Sequence, residues 1–345
     1  MACLQPRLFK TLWQASNLLR LLLTIRPWNV LARWQGRMSR LITLCSGSVF
    51  IGLLSFNAFA QSLEEPVNLQ APKLLTEATN WVTILDKQAL VCQLADLESC
   101  LKKLPSSLQH QAALSAMNVR QAMGLKSAMV LVVEHQLIAG VIIVQAEREP
   151  KSQTGSLGLN TYGIELANQA QLSLWHEIGH LHNIDLQGKA LPLRLSDYQH
   201  EWLADVYLFW RLAQTKQLHL AWQQLHRRNL AVIHDSDNLS HWSAPQLQFL
   251  LQQYDQQTLA TSINYVDFIT EVYPLLPNFS DRDMAEFSSL IQRTFGAGVV
   301  QPLPNYMFWR QPSLAAILHP TLNYLMGETA AKKWLSQHFI PADNL

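Results

Sequence analysis

Along this chain, apolar positions recur at helical spacing over long stretches and form β-branched runs over a shorter one. Residues 41–60, LITLCSGSVFIGLLSFNAFA, are an apolar stretch that follows Arg37 and Arg40 and ends in Ala58-Phe59-Ala60. A basic start, an apolar middle and a small-x-small ending form the pattern of a secretory signal, with cleavage expected after Ala60. Ser46, Gly47, Ser48, Ser55 and Asn57 dilute the run, which argues against a membrane anchor. Residues 61–80 form a polar leader with Pro66 and Pro72, read as an extended arm. Residues 81–125 show helical spacing, with Leu90, Leu94, Leu97, Leu101 and Leu104 on one face and a break at Pro105.

AMVLVV at 128–133 and LIAGVIIVQ at 137–145, joined by Glu134-His135-Gln136, predict a β-hairpin. Residues 148–163, rich in Gly, Ser, Thr and Asn, read as a loop. Helical spacing returns near Ile164 and continues to the end, with loop signals at 185–197, 234–245, 274–283 and 296–313. The pattern predicts a helix-rich α+β fold in four segments: an extension and signal at 1–60, a helical segment at 61–125, a core at 126–215, and a helical region at 216–345. Tryptophans 202, 210, 222, 242, 309 and 334 fit core or groove-lining positions. No window after residue 60 is long and apolar enough to span a membrane, and there is no internal repeat.

Composition narrows the function classes. The chain has 345 residues, 49% of them hydrophobic and 15% charged, which excludes a disordered or coiled-coil protein. The net charge of +1 hides an asymmetry, because residues 1–60 hold seven Lys/Arg and no acid. The remainder is acidic on balance, so a nucleic-acid partner is not expected. Residues 1–37 are unusual ahead of a signal. Met38 opens a conventional one by itself, so an over-extended start is the simpler reading and a mitochondrial-type leader the weaker one. Leu44 before Cys45 disfavours a lipoprotein. Export to the periplasm, or alternatively to the medium, is the expected localisation.

Cleavage would leave Cys92 and Cys100 as the chain's two cysteines, and an exported pair suggests one disulfide. On an unbroken helix residues eight apart lie about 12 Å apart, whereas bridged Cα atoms lie within about 7 Å. A bridge therefore needs the helix to break, and Asp96 is a plausible N-cap. Two unpaired cysteines are the alternative.

The chemistry centres on LWHEIGHLH at 174–182. His176, Glu177 and His180 form H-E-x-x-H, which on a helix turns both imidazoles toward one metal with the glutamate beside it. Chance produces this pattern in roughly one or two sequences per hundred, so a third ligand matters. The longer metzincin pattern fails, because Asn183 and Leu186 stand where Gly and His are required. Downstream, QHEWLADVY at 199–207 places Glu201 and Asp205 one turn apart. Glu201 could complete the ligand set, with His200 or Asp197 next in line, and Asp205 could hold a ligand imidazole in its tautomer. GSLG at 155–158 lacks the continuation of a phosphate loop, G-x-S-x-G is absent, and the cysteine spacing is wrong for redox C-x-x-C.

HEIGH followed by EWLAD resembles the gluzincin zinc peptidases, and most of all the branch of prenyl-protein and heat-shock membrane endopeptidases, which has soluble periplasmic members. The resemblance covers about residues 164–210, with the 128–145 hairpin as an upstream extension. It implies a thermolysin-like minimal core: a small sheet, the H-E-x-x-H helix and a glutamate-bearing helix, with additional carboxy-terminal helices. It further implies zinc held by His176, His180 and Glu201, Glu177 as general base, Asp205 supporting a ligand, and a protein or peptide substrate paired with a strand ahead of the active-site helix. The family's oxyanion donor is usually a downstream His, Tyr or Arg. His234 and His241 are candidates, though each reads first as an ordinary loop residue. His182 and His200 read as surface or supporting residues. The rival expectations are a non-catalytic periplasmic binding or assembly factor that keeps a zinc-bound core, and a helical interaction protein with an accidental motif.

Overall fold

The sheet that carries the site begins with Trp81–Ile84 (β1) and Lys87–Gln93 (β2), an antiparallel pair. These residues correct the helical reading of 81–93. The cause is β2, a central strand buried on both faces, whose unbroken apolar run shows no alternation and mimics helical spacing. The turn between the strands also lacks a glycine signal, because Leu85 itself takes the positive φ of 51°. Short helices follow at Leu97–Leu101 (α1), Ser106–Gln109 (α2) and Ala116–Met123 (α3). Cys92 on β2 and Cys100 on α1 are bridged, with Cα atoms 5.7 Å apart. Asp96 is the N-cap of α1, so the chain does turn there, between strand and helix.

Ala128–Val132 (β3) and Ile138–Val144 (β4) form the expected hairpin. The order of the mixed sheet is β1-β2-β4-β3, with β2 parallel to β4 and β3 on an edge. The sheet therefore draws on strands from both sides of residue 125. A second hairpin, Ser152–Leu157 (β5) with Asn160–Glu165 (β6), corrects the loop reading of 148–163. Its glycines have packing and turn roles. A Cβ on Gly155 would lie 3.0 Å from both Ile233 and Leu230, and Gly158 makes the turn at φ 63°.

Helices then dominate: Gln169–Leu186 (α4), Asp197–Gln214 (α5), His219–His234 (α6), Ala244–Gln253 (α7), Gln256–Ala260 (α8), Tyr265–Val272 (α9), Asp281–Phe295 (α10), Arg310–Met326 (α11) and Glu328–His338 (α12). The computed structural model describes residues 80–260, 264–296 and 308–339, all within one compact unit, Asn68–Leu345. The signal reading at 41–60, the leader at 61–79 and part of the 296–313 loop lie outside the described residues. Among the described residues, no helix is long and apolar enough to cross a membrane.

The sheet separates two cores. Leu90, Cys92, Val141 and Ile143 face α1 and α3 in the smaller one. Ala89, Val91, Ile142 and Val144 face the larger one, built on α4 to α7 and the later helices. Trp202 and Trp242 are fully buried there, as a core role requires. Burial of this kind contributes about 25 cal/mol per Å² of apolar surface, so the larger core is what holds the two motif helices together.

Candidate metal centre

Two helices packed unusually close bring the motif residues together. On α4, Ser173, His176, Glu177, His180 and Ile184 follow the i, i+3, i+4, i+7 spacing of one face and line a cleft of about 760 Å³. On α5, Asp197, Glu201, Asp205 and Leu208 do the same. A capping box, with Ser196 and Gln199 satisfying each other's backbone, starts α5 just ahead of Glu201. Gly179 permits the contact, since a Cβ there would lie 2.9 Å from the Ala204 carbonyl and 3.0 Å from its Cα. The remaining walls are the edge strand β3, one face of α6, and the end of the two-turn 3₁₀ helix Ser236–His241.

His176, His180 and Glu201 present ligand atoms that all lie within 4.8 Å of one another. Glu201 Oε2 is 3.4 Å from His176 Nε2, and Oε1 is 3.8 Å from His180 Nε2. Bonds of about 2.1 Å in tetrahedral arrangement set ligand atoms about 3.4 Å apart, so the spacing suits an ion of that kind. Glu201 Oε2 is also buried without a well-formed hydrogen bond, its near polar neighbours being His176 Nε2 and His241 Nε2, each 3.4 Å away. A buried carboxylate faced by imidazole nitrogens is further stabilised by a cation placed among them. The group fits a metal ion.

Asp205 fixes which histidine nitrogen faces inward. It is buried, and its Oδ1 accepts from His176 Nδ1 at 2.7 Å, leaving Nε2 for the cleft. Arg228 on α6 donates to both oxygens, through Nε at 2.8 Å and Nη2 at 3.0 Å, and Ser243 donates to Oδ2. Burial opposes ionisation of Asp205, but Arg228 and His176 outweigh it and hold its carboxyl well below the usual range. Burial also opposes a charge on His176, yet in the metal-free chain the Asp205 charge and hydrogen bond, helped by Glu201, raise it to about 10, and a bound cation would displace that proton from Nε2. His180, buried beside a cationic His176, is pushed down to about 3. Burial works against Glu201 as well, while His176, His180 and His241 hold it at about 2. Glu177 lines the cleft without a hydrogen bond or ion pair among the described residues, and burial above all raises its carboxyl.

Each expected site residue can now be placed. His176, Glu177, His180 and Glu201 share the cleft, and Asp205 stands behind His176. His241 belongs to the site as well, with Nε2 3.4 Å from Glu201 Oε2. Its Nδ1 pairs with Ser240 Oγ at 2.8 Å, and the next residue, Trp242, is anchored by Asn229 and Tyr198. His234 lies elsewhere, at a smaller cavity between α6 and α10. His200 lines the cleft and pairs with Gln187, whereas His182 is buried and stacks on Tyr207. Arg228, Ser243 and Arg227 were invisible as site residues in the sequence, because they lie 22 to 38 positions beyond Asp205 with no motif linking them. Comparison with protein-family models, curated proteins and solved structures finds no match to this chain, so its chemistry must be read from the site itself.

Proposed function

We propose that this chain is an exported zinc-dependent endopeptidase of gluzincin type. The observation that carries the reading is the convergence of His176, His180 and Glu201 on one point, with Glu177 free beside it in a cleft bordered by a sheet edge. Two imidazoles and a carboxylate are a donor set of catalytic zinc sites. A zinc ion held there would supply Lewis acidity and lower the pKa of water to about 7.

The chain's own residues do the rest. Glu177 accepts a proton from the attacking water at its carboxylate and passes it to the leaving amine. A carboxyl raised by burial suits that exchange. Asp205, neutralised by Arg228, orients His176. His241 Nε2 faces the cleft and can donate to a developing oxyanion. The β3 edge has one side unpaired among the described residues, and an extended substrate can add to it as a strand. The bridged Cys92 and Cys100 agree with an oxidising compartment.

The test is Glu177→Gln, a nearly isosteric change. Zinc content should persist while cleavage of an unfolded protein falls by about 10²–10⁴-fold. Equal cleavage by both forms refutes the assignment. Zinc bound in both with cleavage by neither turns the reading toward a non-catalytic binding factor.

A further inference from the structure

Among the described residues, Arg227 is the one guanidinium on the cleft wall that no carboxylate engages. It lies on α6 beside Arg228, but where Arg228 is spent on Asp205, Arg227 makes no ion pair among the described residues. Among the described residues its hydrogen bond runs from Nη1 to the neutral Oε1 of Gln169 in the first turn of α4. Gln169 is itself buried and held by donating Nε2 to the Ala167 carbonyl at 3.1 Å, so it presents its oxygen to Arg227 in a set orientation. A guanidinium carries five N–H donors in a planar fork, and the others here have no protein partner among the described residues. Burial, then the neighbouring charge of Arg228, pulls its pKa down to about 10 against a weaker pull from Glu149 and Asp205. Asp205 is already taken by His176 and Arg228. Lys126, just ahead of β3, also lines the cleft and has no ion-pair partner among the described residues.

We propose that Arg227, assisted by Lys126, forms a carboxylate-binding subsite of the cleft, so that preferred substrates bear a negative charge a few residues from the cleaved bond. This rests on the peptidase reading of the same cleft. The shared chemistry is a carboxylate, from an acidic side chain or from the end of a peptide. Its position follows from α4. Gln169 precedes His176 by seven residues, about 10 Å of helix. An extended peptide advances about 3.3–3.6 Å per residue, so on a path running alongside α4 the carboxylate falls about three residues from the cleaved bond.

Binding can be read without turnover. The zinc-loaded Glu177→Gln protein is titrated, by fluorescence anisotropy, into labelled peptides of one neutral sequence. One form is amidated, one has a free carboxy terminus, and a set of amidated forms carries glutamate at each position in turn. A charge-assisted fork should make one carboxylate form bind about 10- to 100-fold tighter than its neutral twin. A free terminus or an internal glutamate as the preferred form identifies the source. Arg227→Gln should abolish the difference between charged and neutral forms. Should that variant unfold, Arg227→Lys carries the test, keeping the charge but losing the fork, and should retain a reduced preference. Equal affinity for all forms overturns the proposal, as does a preference that survives Arg227→Gln. A preference that emerges only after Glu149→Gln also overturns it, since Glu149 would then be the resident partner. Charge preference in binding with no cleavage by the unmodified chain sinks the peptidase reading alone, and cleavage indifferent to charge sinks the subsite alone.

Discussion

Replacing Gly179 with alanine sets two physical effects against each other. Glycine in a helix interior costs about 1 kcal/mol relative to alanine, so α4 by itself would gain from the change. Against this, the new Cβ would stand 2.9 Å from the Ala204 carbonyl oxygen, 3.0 Å from Ala204 Cα and 2.9 Å from Tyr207 Cβ. Carbon contacts are comfortable at about 3.5–4.0 Å, so α4 and α5 must separate by roughly 0.5–1 Å. Two of the three obstructing atoms are backbone and cannot swing aside. Overpacking of this kind typically costs about 1–3 kcal/mol, so the net effect is destabilisation of up to about 2 kcal/mol. The consequence for the site is sharper, because α4 carries His176 and His180 while α5 carries Glu201. Gaps of 3.4 and 3.8 Å would widen by a similar amount, whereas metal bonds tolerate only about 0.2 Å. Zinc affinity should fall at least about tenfold. Urea unfolding measures the first effect and competition with a chromophoric chelator the second. Gly158→Ala is the control: its Cβ would meet nothing within 4 Å, so strain at positive φ should cost about 1 kcal/mol and leave zinc untouched. A Gly179→Ala chain that is more stable, with unchanged zinc affinity, would refute the close-packing argument.

Asp205→Asn keeps the shape but removes the charge that Arg228 and His176 share. Loss of about 3 kcal/mol in stability and a 10–100-fold loss of metal affinity are expected by denaturation and chelator competition, and unchanged affinity would mean His176 needs no such support. Replacing Cys92 and Cys100 together with alanine opens a loop of eight residues' separation and should cost about 2–3 kcal/mol. Zinc affinity should hold, because the bridge sits in the smaller core across the sheet, so a large drop would show the two sides to be coupled. His226 is buried against Tyr324 and Thr321, and burial lowers its pKa from 6.5 to about 4. The unfolded chain takes up that proton first, so the contribution is whole above pH 6.5 and is lost as pH falls toward 4. His226→Phe should remove up to about 3 kcal/mol of this acid-dependent loss, read as the stability difference between about pH 7 and about pH 4.

Local spacing alone laid out part of the site. His176, Glu177 and His180 are readable because helical periodicity forces residues four apart onto one face, whatever surrounds them. The β3–β4 hairpin was legible from two β-branched runs around a short polar turn. Asp96 as the point where the chain must turn followed from the reach of a disulfide. Where local signals were ambiguous, packing between distant elements fixed the outcome. Residues 81–93 became strands because β2 lies between β1 and β4 and is covered on both faces, which erases the alternation that marks a strand. Residues 152–165 became a hairpin whose Gly155 serves the approach of α6. Only packing could show that Gly179 lets Glu201 face His176, that Arg228 and Ser243 close on Asp205, and that His241 belongs to the cleft while His234 does not. Those contacts join residues tens of positions apart on separate helices. The physical reason is that periodicity reports which face of a helix is apolar, whereas the partner that face meets depends on how the whole core closes.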